Sequence, residues 1–181
     1  MLTLLSKFDN VNLTHKYLSK DKLWQDPHNQ SIDFEGTALG AEWIDERAQS
    51  AKSIIDSYEY NRKIIAHSDW SNKHFRFRND DVSVIYDWDS LCYIDELYAI
   101  GIACTTFTAT WEIDVQLFPT PEELYRFLND FCEFSGRVYT RDEIKVISAY
   151  VAHTIAYIVR CMHAINSDEV LEHSIRDGQY F

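Results

Sequence analysis

The stretch from residue 67 to 90, HSDWSNKHFRFRNDDVSVIYDWDS, constrains this chain more than any other. Two short apolar runs frame it, IIA before His67 and VSVIY before Asp87, and each ends in acid. The alternation predicts a strand over 63–66, a polar loop, and a hairpin of 74–78 with 82–88 that turns at Asn79, Asp80 and Asp81. Asp69 leaves the first strand, and Asp87 and Asp89 leave the last. A carboxylate at a strand end is held by the ladder behind it. Rigid neighbouring carboxylates are what a divalent cation or a proton-abstraction site needs.

Around this insert the sequence is helical. Trp43, Ile44, Ala48, Ala51, Ile54, Ile55 and Tyr58 recur at three- and four-residue steps, so a helix with one apolar face starts after Gly40. Residues 1–39 read as an irregular lead-in, with short helical stretches expected at 2–8 and 11–18. Beyond Ser90 the reading is helical throughout. The segment 95–112 is apolar nearly all round (Leu97, Ile100, Ile102, Ala103, Phe107), as a central buried helix is. Thr120-Pro121-Glu122-Glu123 is a capping box with proline at the first helical position, opening a helix that ends near Gly136. Thr140 and Glu143 repeat the box and open a helix to about Ile165; a last helix is expected over 168–177. The fold class is therefore mainly α with a small β-hairpin region. One domain spans 1–181, organised as lead-in (1–39), helix with loop and hairpin (40–90) and helical subdomain (91–181).

Composition narrows the function. A formal net charge of −12 with no Lys/Arg cluster argues against nucleic-acid binding, which needs a basic footprint. The acidic balance suits a cationic small-molecule substrate, although solubility alone accounts for it. Cys92, Cys104, Cys132 and Cys161 form no CxxC pair, and each reads as a reduced core thiol in an apolar helical context. The opening MLTLLSKF is too short in apolar run for a signal peptide, and no stretch approaches the ~20 apolar residues of a membrane span. A cytoplasmic protein is expected, with no membrane partner.

HSDWSNKH followed by YDWDS resembles the catalytic core of the aminoglycoside phosphotransferase and choline kinase group, which has the protein-kinase-like fold. That group's pattern is His-x-Asp, four residues, Asn, and then a strand ending in Asp near an aromatic. The resemblance runs from about residue 23 to 181 and implies the C-terminal lobe of such a phosphotransferase. It implies ATP-dependent phosphorylation of a small-molecule hydroxyl with Mg²⁺. By that resemblance Asp69 accepts or orients the hydroxyl proton, Asp87 binds Mg²⁺, and His67 braces the loop. Asp89 belongs to a second shell or faces the substrate. Trp70 lines a pocket or packs in the core, and Arg76 pairs with Asp87 or Asp69. The group's Asn falls at His74, and an imidazole prefers softer metals than Mg²⁺.

The 66 residues before His67 read as loop plus helix, so the group's N-terminal β lobe is not visible. Gly36-Thr37-Ala38-Leu39-Gly40 has no strand before it and reads as helix entry. Three readings follow. One is a phosphotransferase that takes its β lobe from elsewhere. A second is a non-catalytic, truncated lobe acting as an interaction module or homodimer, with an apolar face where a β lobe would sit. The third is a metal-dependent hydrolase using His67, Asp69, His74 and Asp87. The kinase-like reading requires Asp69 and Asp87 to come close enough to share a cation.

Overall fold

The computed structural model describes residues 13–27, 29, 32–60, 62–107 and 118–166. Along the chain run β1 (Thr14–Lys16), α1 (Glu42–Asp56), β2 (Lys63–His67), β3 (Phe75–Arg78), β4 (Asp81–Ile85), β5 (Leu91–Asp95), α2 (Glu96–Thr106), α3 (Pro121–Ser135) and α4 (Arg141–Asn166). Single 3₁₀ turns lie at Asn72–His74 and Trp88–Ser90. The described residues are mixed α/β, about 52% helical, with small sheets. The chain divides into two compact units, Met1–Tyr17 with Tyr60–Arg137 and Leu18–Glu59 with Val138–Phe181.

The first unit is built on a three-stranded sheet in the order β1-β5-β2. β2 runs antiparallel to β5, from Lys63 opposite Asp95 to His67 opposite Leu91. β1 joins the other side of β5 in parallel, with Lys16 opposite Ile94. β3 and β4 form a separate hairpin, closed by Asn79 and Asp80 with φ of 52° and 66°. Two successive positive φ values give the primed turn whose twist matches a hairpin, and Asn and Asp tolerate that conformation best after glycine. α2 follows β5 without a break and buries Leu97, Ile100, Ile102 and Cys104. Burial pushes the Cys104 thiol up to about 12.

The first residue of α2, Glu96, is 1% exposed and closes a clasp. Arg137 donates to its Oε1 at 2.7 Å and 3.0 Å and to its Oε2 at 3.0 Å, and the Tyr60 hydroxyl donates to Oε2 at 2.6 Å. Arg62 adds a third cationic or polar neighbour at 3.5 Å. A buried carboxylate is tolerable only with partners of this kind.

The second unit is centred on α1 packed along α4. Small residues let the two helices close on each other: Ala41, Ala48 and Ala51 on one side, Ala149, Ala152 and Ala156 on the other, all buried with Ile44, Ile155 and Val159. Arg160 is 1% exposed and ties the preceding loop to α4. Its guanidinium donates to the Phe34 carbonyl and to Thr37 Oγ1 (3.1 Å), lies 5.0 Å from the Phe34 ring centre, and has Asp45 at 3.7 Å. Trp24 donates to the same Asp45 carboxylate at 3.1 Å. His153, also buried, contacts the Leu23 carbonyl through Nε2 at 3.0 Å. α4 is long and apolar enough to cross a membrane by length and composition, but 67% of that window is buried inside the protein, as in a core helix.

Both capping boxes form as read. Thr120 accepts the Glu123 N–H at 3.2 Å while Glu123 accepts the Thr120 N–H at 2.7 Å, and Thr140 and Glu143 repeat the same distances. Gly136 ends α3 in the left-handed region at φ 68°. Residues 36–40 lead into α1, with Asp33 accepting the Gly36 N–H at 2.9 Å.

Three expectations are corrected. The lead-in is not wholly irregular or helical: Thr14–Lys16 is a strand, supported by parallel pairing to β5. The chain after Ser90 is not all helical: Leu91–Asp95 is the central strand of the sheet. With that strand, Cys92 sits in a β context, not a helical one. The expected helices at 2–8 and 168–177, and the end of the 95–112 segment, lie outside the described residues.

Candidate functional site

Three chain segments converge where β2 ends, β3 begins and β4 exits. The ladder of β2 and β5 continues one step past His67, through the Ser68 N–H to the Ser90 carbonyl at 3.0 Å. The hairpin likewise extends beyond β3 and β4, with the Tyr86 N–H donating to the His74 carbonyl at 2.8 Å. Between these stitches the loop 68–74 is fastened to the end of α2. The Asn72 N–H donates to the Phe107 carbonyl at 2.8 Å, and Thr106 Oγ1 donates to the Trp70 carbonyl at 2.9 Å. A loop held at both ends and in its middle keeps its side chains in one arrangement.

Asp69 and Asp87 approach the same atom. His74 Nε2 lies 3.3 Å from Asp87 Oδ2 and 3.7 Å from Asp69 Oδ2. The His74 ring is buried, whereas the two carboxylates are 39% and 46% exposed, so a solute can reach the acids from outside. His67, His74 and Asp87 each offer a donor atom within 4.8 Å of the others. Asp87 has φ 66° and ψ 42°, the left-handed region. That conformation is uncommon for a residue with a Cβ and is held by its surroundings. It aims the Asp87 carboxylate back at His74 instead of along the strand.

His67 is a brace. Its Nδ1 accepts the Asp69 N–H at 3.2 Å, and its Nε2 faces the Tyr86 carbonyl at 3.4 Å. These partners fix the tautomer, with the proton on Nε2. Burial lowers its pKa from the ordinary 6.5; the Tyr86 carbonyl opposes that, His74 reinforces it, and Asp69 and Asp87 pull it back up. Both ring nitrogens are thus occupied in linking the exits of β2 and β4.

The remaining candidates separate. Trp70 is half-buried and packs edge-on to Phe75 (centroids 4.6 Å apart) and beside His67 (5.5 Å). Asp89 is exposed on the second 3₁₀ turn. Arg76 does not pair with Asp69 or Asp87. Its guanidinium bonds to the Phe75 and Lys73 carbonyls, at 2.9 Å and 3.4 Å, and lies 5.2 Å from the Tyr86 ring centre. Strand alternation explains this: Arg76 projects from the opposite face to buried Phe75.

Two cations were missed in the sequence. Lys73 Nζ is 3.2 Å from Asp69 Oδ2, a spacing of four residues that was visible in the loop. Lys16 also feels Asp69; its ammonium is pulled below its ordinary value by burial, against the pull of Cys92 and Asp69. No local signal could have supplied Lys16, because only the parallel pairing of β1 brings it there.

The hairpin itself carries exposed apolar side chains, among them Phe77, Val82, Val84 and Tyr86. Phe75 is buried but Phe77, two residues on, is 60% exposed, since the strand runs out past the core. No protein-family model, curated protein or solved structure matches this chain.

Proposed function

We propose that the cluster of Asp69, His74 and Asp87 is the site of a cation-dependent phosphotransferase-like protein acting on a small-molecule hydroxyl. The observation that supports this most is the convergence of two strand-exit carboxylates on one buried nitrogen. Phosphoryl transfer asks the protein mainly for positioning and for charge stabilisation. Asp69, half-exposed and with its backbone N–H locked to His67, is suited to orient an acceptor hydroxyl and take its proton. Lys73 pairs with the Asp69 carboxylate at 3.2 Å. Asp87 is the carboxylate placed to hold a divalent ion.

In this reading the divalent ion supplies charge neutralisation for the phosphates of a nucleoside triphosphate. The oxygen donors of Asp69 and Asp87 fit Mg²⁺, but the nitrogen between them does not fit its preference for oxygen. The part taken by the chain itself is to fix His67 between β2 and β4, to hold Asp69 still, and to present Asp87. The test is calorimetric titration of ATP with a divalent cation present. Binding that disappears in Asp87→Ala supports the proposal; no binding at millimolar nucleotide with any divalent ion rejects it.

A second reading has its own observation. The exposed Phe77, Val82, Val84 and Tyr86 lie on a hairpin whose two strands, among the described residues, pair only with each other. Unpaired edges and apolar side chains together favour association. Light scattering decides this reading: a monomer at high concentration removes it, whereas a dimer dispersed by Val84→Lys supports it.

A further inference from the structure

We infer that the cation site of this chain is a mixed nitrogen–oxygen site, which takes a borderline divalent ion of the Mn²⁺-to-Zn²⁺ series in preference to Mg²⁺. His74 Nε2 and Asp87 are its direct ligands. The inference deepens the reading of the cluster as cation-dependent and rests on it.

The His74 ring is positioned from its backbone on both sides. Its N–H donates to the Ser71 carbonyl at 3.1 Å, and its carbonyl accepts from Tyr86 at 2.8 Å. The ring is buried and Nδ1 has no hydrogen-bond partner among the described residues, so its polar function is carried by Nε2. Nε2 faces Asp87 at 3.3 Å, the separation of neighbouring donors around an ion with bonds of about 2.1 Å. His67 is the other nearby imidazole, but both of its nitrogens are engaged by Asp69 and Tyr86. Asp69 is engaged by Lys73. The two groups left to bind an ion directly are therefore His74 and Asp87, with Asp69 completing the site from a little farther away.

The donor set decides the metal. Mg²⁺ is a hard ion that holds its waters and prefers oxygen in near-octahedral geometry. Imidazole suits the later first-row ions, and affinity at such a site rises from Mn²⁺ through Co²⁺ towards Zn²⁺. A carboxylate alone would leave Mg²⁺ competitive; a nitrogen fixed 3.3 Å from that carboxylate removes the balance in its favour.

The test titrates the purified full chain, free of nucleotide, with Mg²⁺, Mn²⁺ and Zn²⁺ separately. We expect Mn²⁺ to bind at least ten-fold tighter than Mg²⁺, and Zn²⁺ tighter than Mn²⁺. His74→Asn should bring the Mn²⁺ and Mg²⁺ affinities within about three-fold of each other. Because that variant could fail to fold, pulsed electron paramagnetic resonance on wild-type protein with Mn²⁺ provides a second measurement. A directly coordinated imidazole nitrogen supports the inference. Equal Mg²⁺ and Mn²⁺ affinities, or a Mn²⁺ spectrum without a nitrogen ligand, overturns it. Nucleotide titration separates this from the function: nitrogen-coordinated Mn²⁺ without any ATP binding sustains the inference and sinks the phosphotransferase reading. ATP binding by a wild-type protein whose Mg²⁺ and Mn²⁺ affinities are equal does the reverse.

Discussion

The sheet unit buries His67 and His74, the helical unit buries His153, and His74 and His153 are used differently. His153 sits at 4% exposure with Nε2 on a backbone carbonyl, and its neighbourhood includes the Trp24 ring at 5.5 Å. His74 is buried to a similar degree, yet its Nε2 points to two half-exposed carboxylates and its Nδ1 has no partner among the described residues. Charged groups in the two units show a related contrast. Arg160 spends its guanidinium on a loop carbonyl and a threonine, whereas the acids beside His74 stay open to solvent. In the helical unit His153 and Arg160 direct their side chains to the loop that precedes α1. The sheet unit keeps polar groups in an arrangement that packing alone does not require, and such arrangements cluster at functional sites.

The sharpest way to break this contrast is to remove the central group on each side. Arg160→Ala should cost about 3 kcal/mol of stability, because it opens a buried volume and strands the groups it served. Denaturant unfolding measures that loss, and cation affinity measured on the folded fraction should stay as in wild type. Asp87→Gly should do the opposite. Divalent-ion affinity should fall on the order of 100-fold, beyond the usual effect of an outer partner. Stability should be unchanged or rise by up to about 1 kcal/mol, since glycine occupies the left-handed region freely. A variant that lost both stability and affinity would mean that Asp87 is structural.

The Asp87 result bears on what could be seen beforehand. Asp69 and Asp87 were legible because a strand followed by acid is a local pattern, and both capping boxes were legible for the same reason. The left-handed backbone of Asp87 was not legible; nothing in YDWDS distinguishes it from Asp89. β5 was misread because LCYIDELYAIGIACTTF is largely apolar on both sides of Asp95-Glu96, with no glycine or proline at the boundary, and periodicity alone does not divide it. The change from strand to helix at Asp95 and Glu96 is set by pairing to β2 and β1, which are distant in sequence. Arg76 was expected to pair with Asp87 or Asp69, and strand alternation turns it to the face opposite buried Phe75.

Smaller effects sharpen the comparison. Burial is the main reason that the pKa of His153 lies below 6.5, with the Leu23 carbonyl raising it, Lys52 lowering it and Asp56 raising it. The unfolded chain therefore takes up a proton first as pH falls below 6.5, and stability is lost from there down towards the folded value. Thermal melts between pH 7.5 and 5 should show that decline, and His153→Gln should make it shallower. An unchanged slope would place the pH sensitivity elsewhere. Last come the helix starts, one in each unit. Thr120→Ala and Thr140→Ala should each cost about 1 kcal/mol, read from the denaturation midpoint. A loss well below that in either would show that the surrounding packing, not the capping box, holds that helix end.

The Glu96 clasp has a mechanical consequence. The segment from Tyr60 to Arg137 has Tyr60 and Arg62 at its start and Arg137 at its finish, and all three meet on one carboxylate. Tension applied to the two ends is carried as shear across that fork before it reaches the sheet or α2. The segment is fastened like a loop of rope with its two ends knotted together, so Glu96→Gln should make it come undone at lower force.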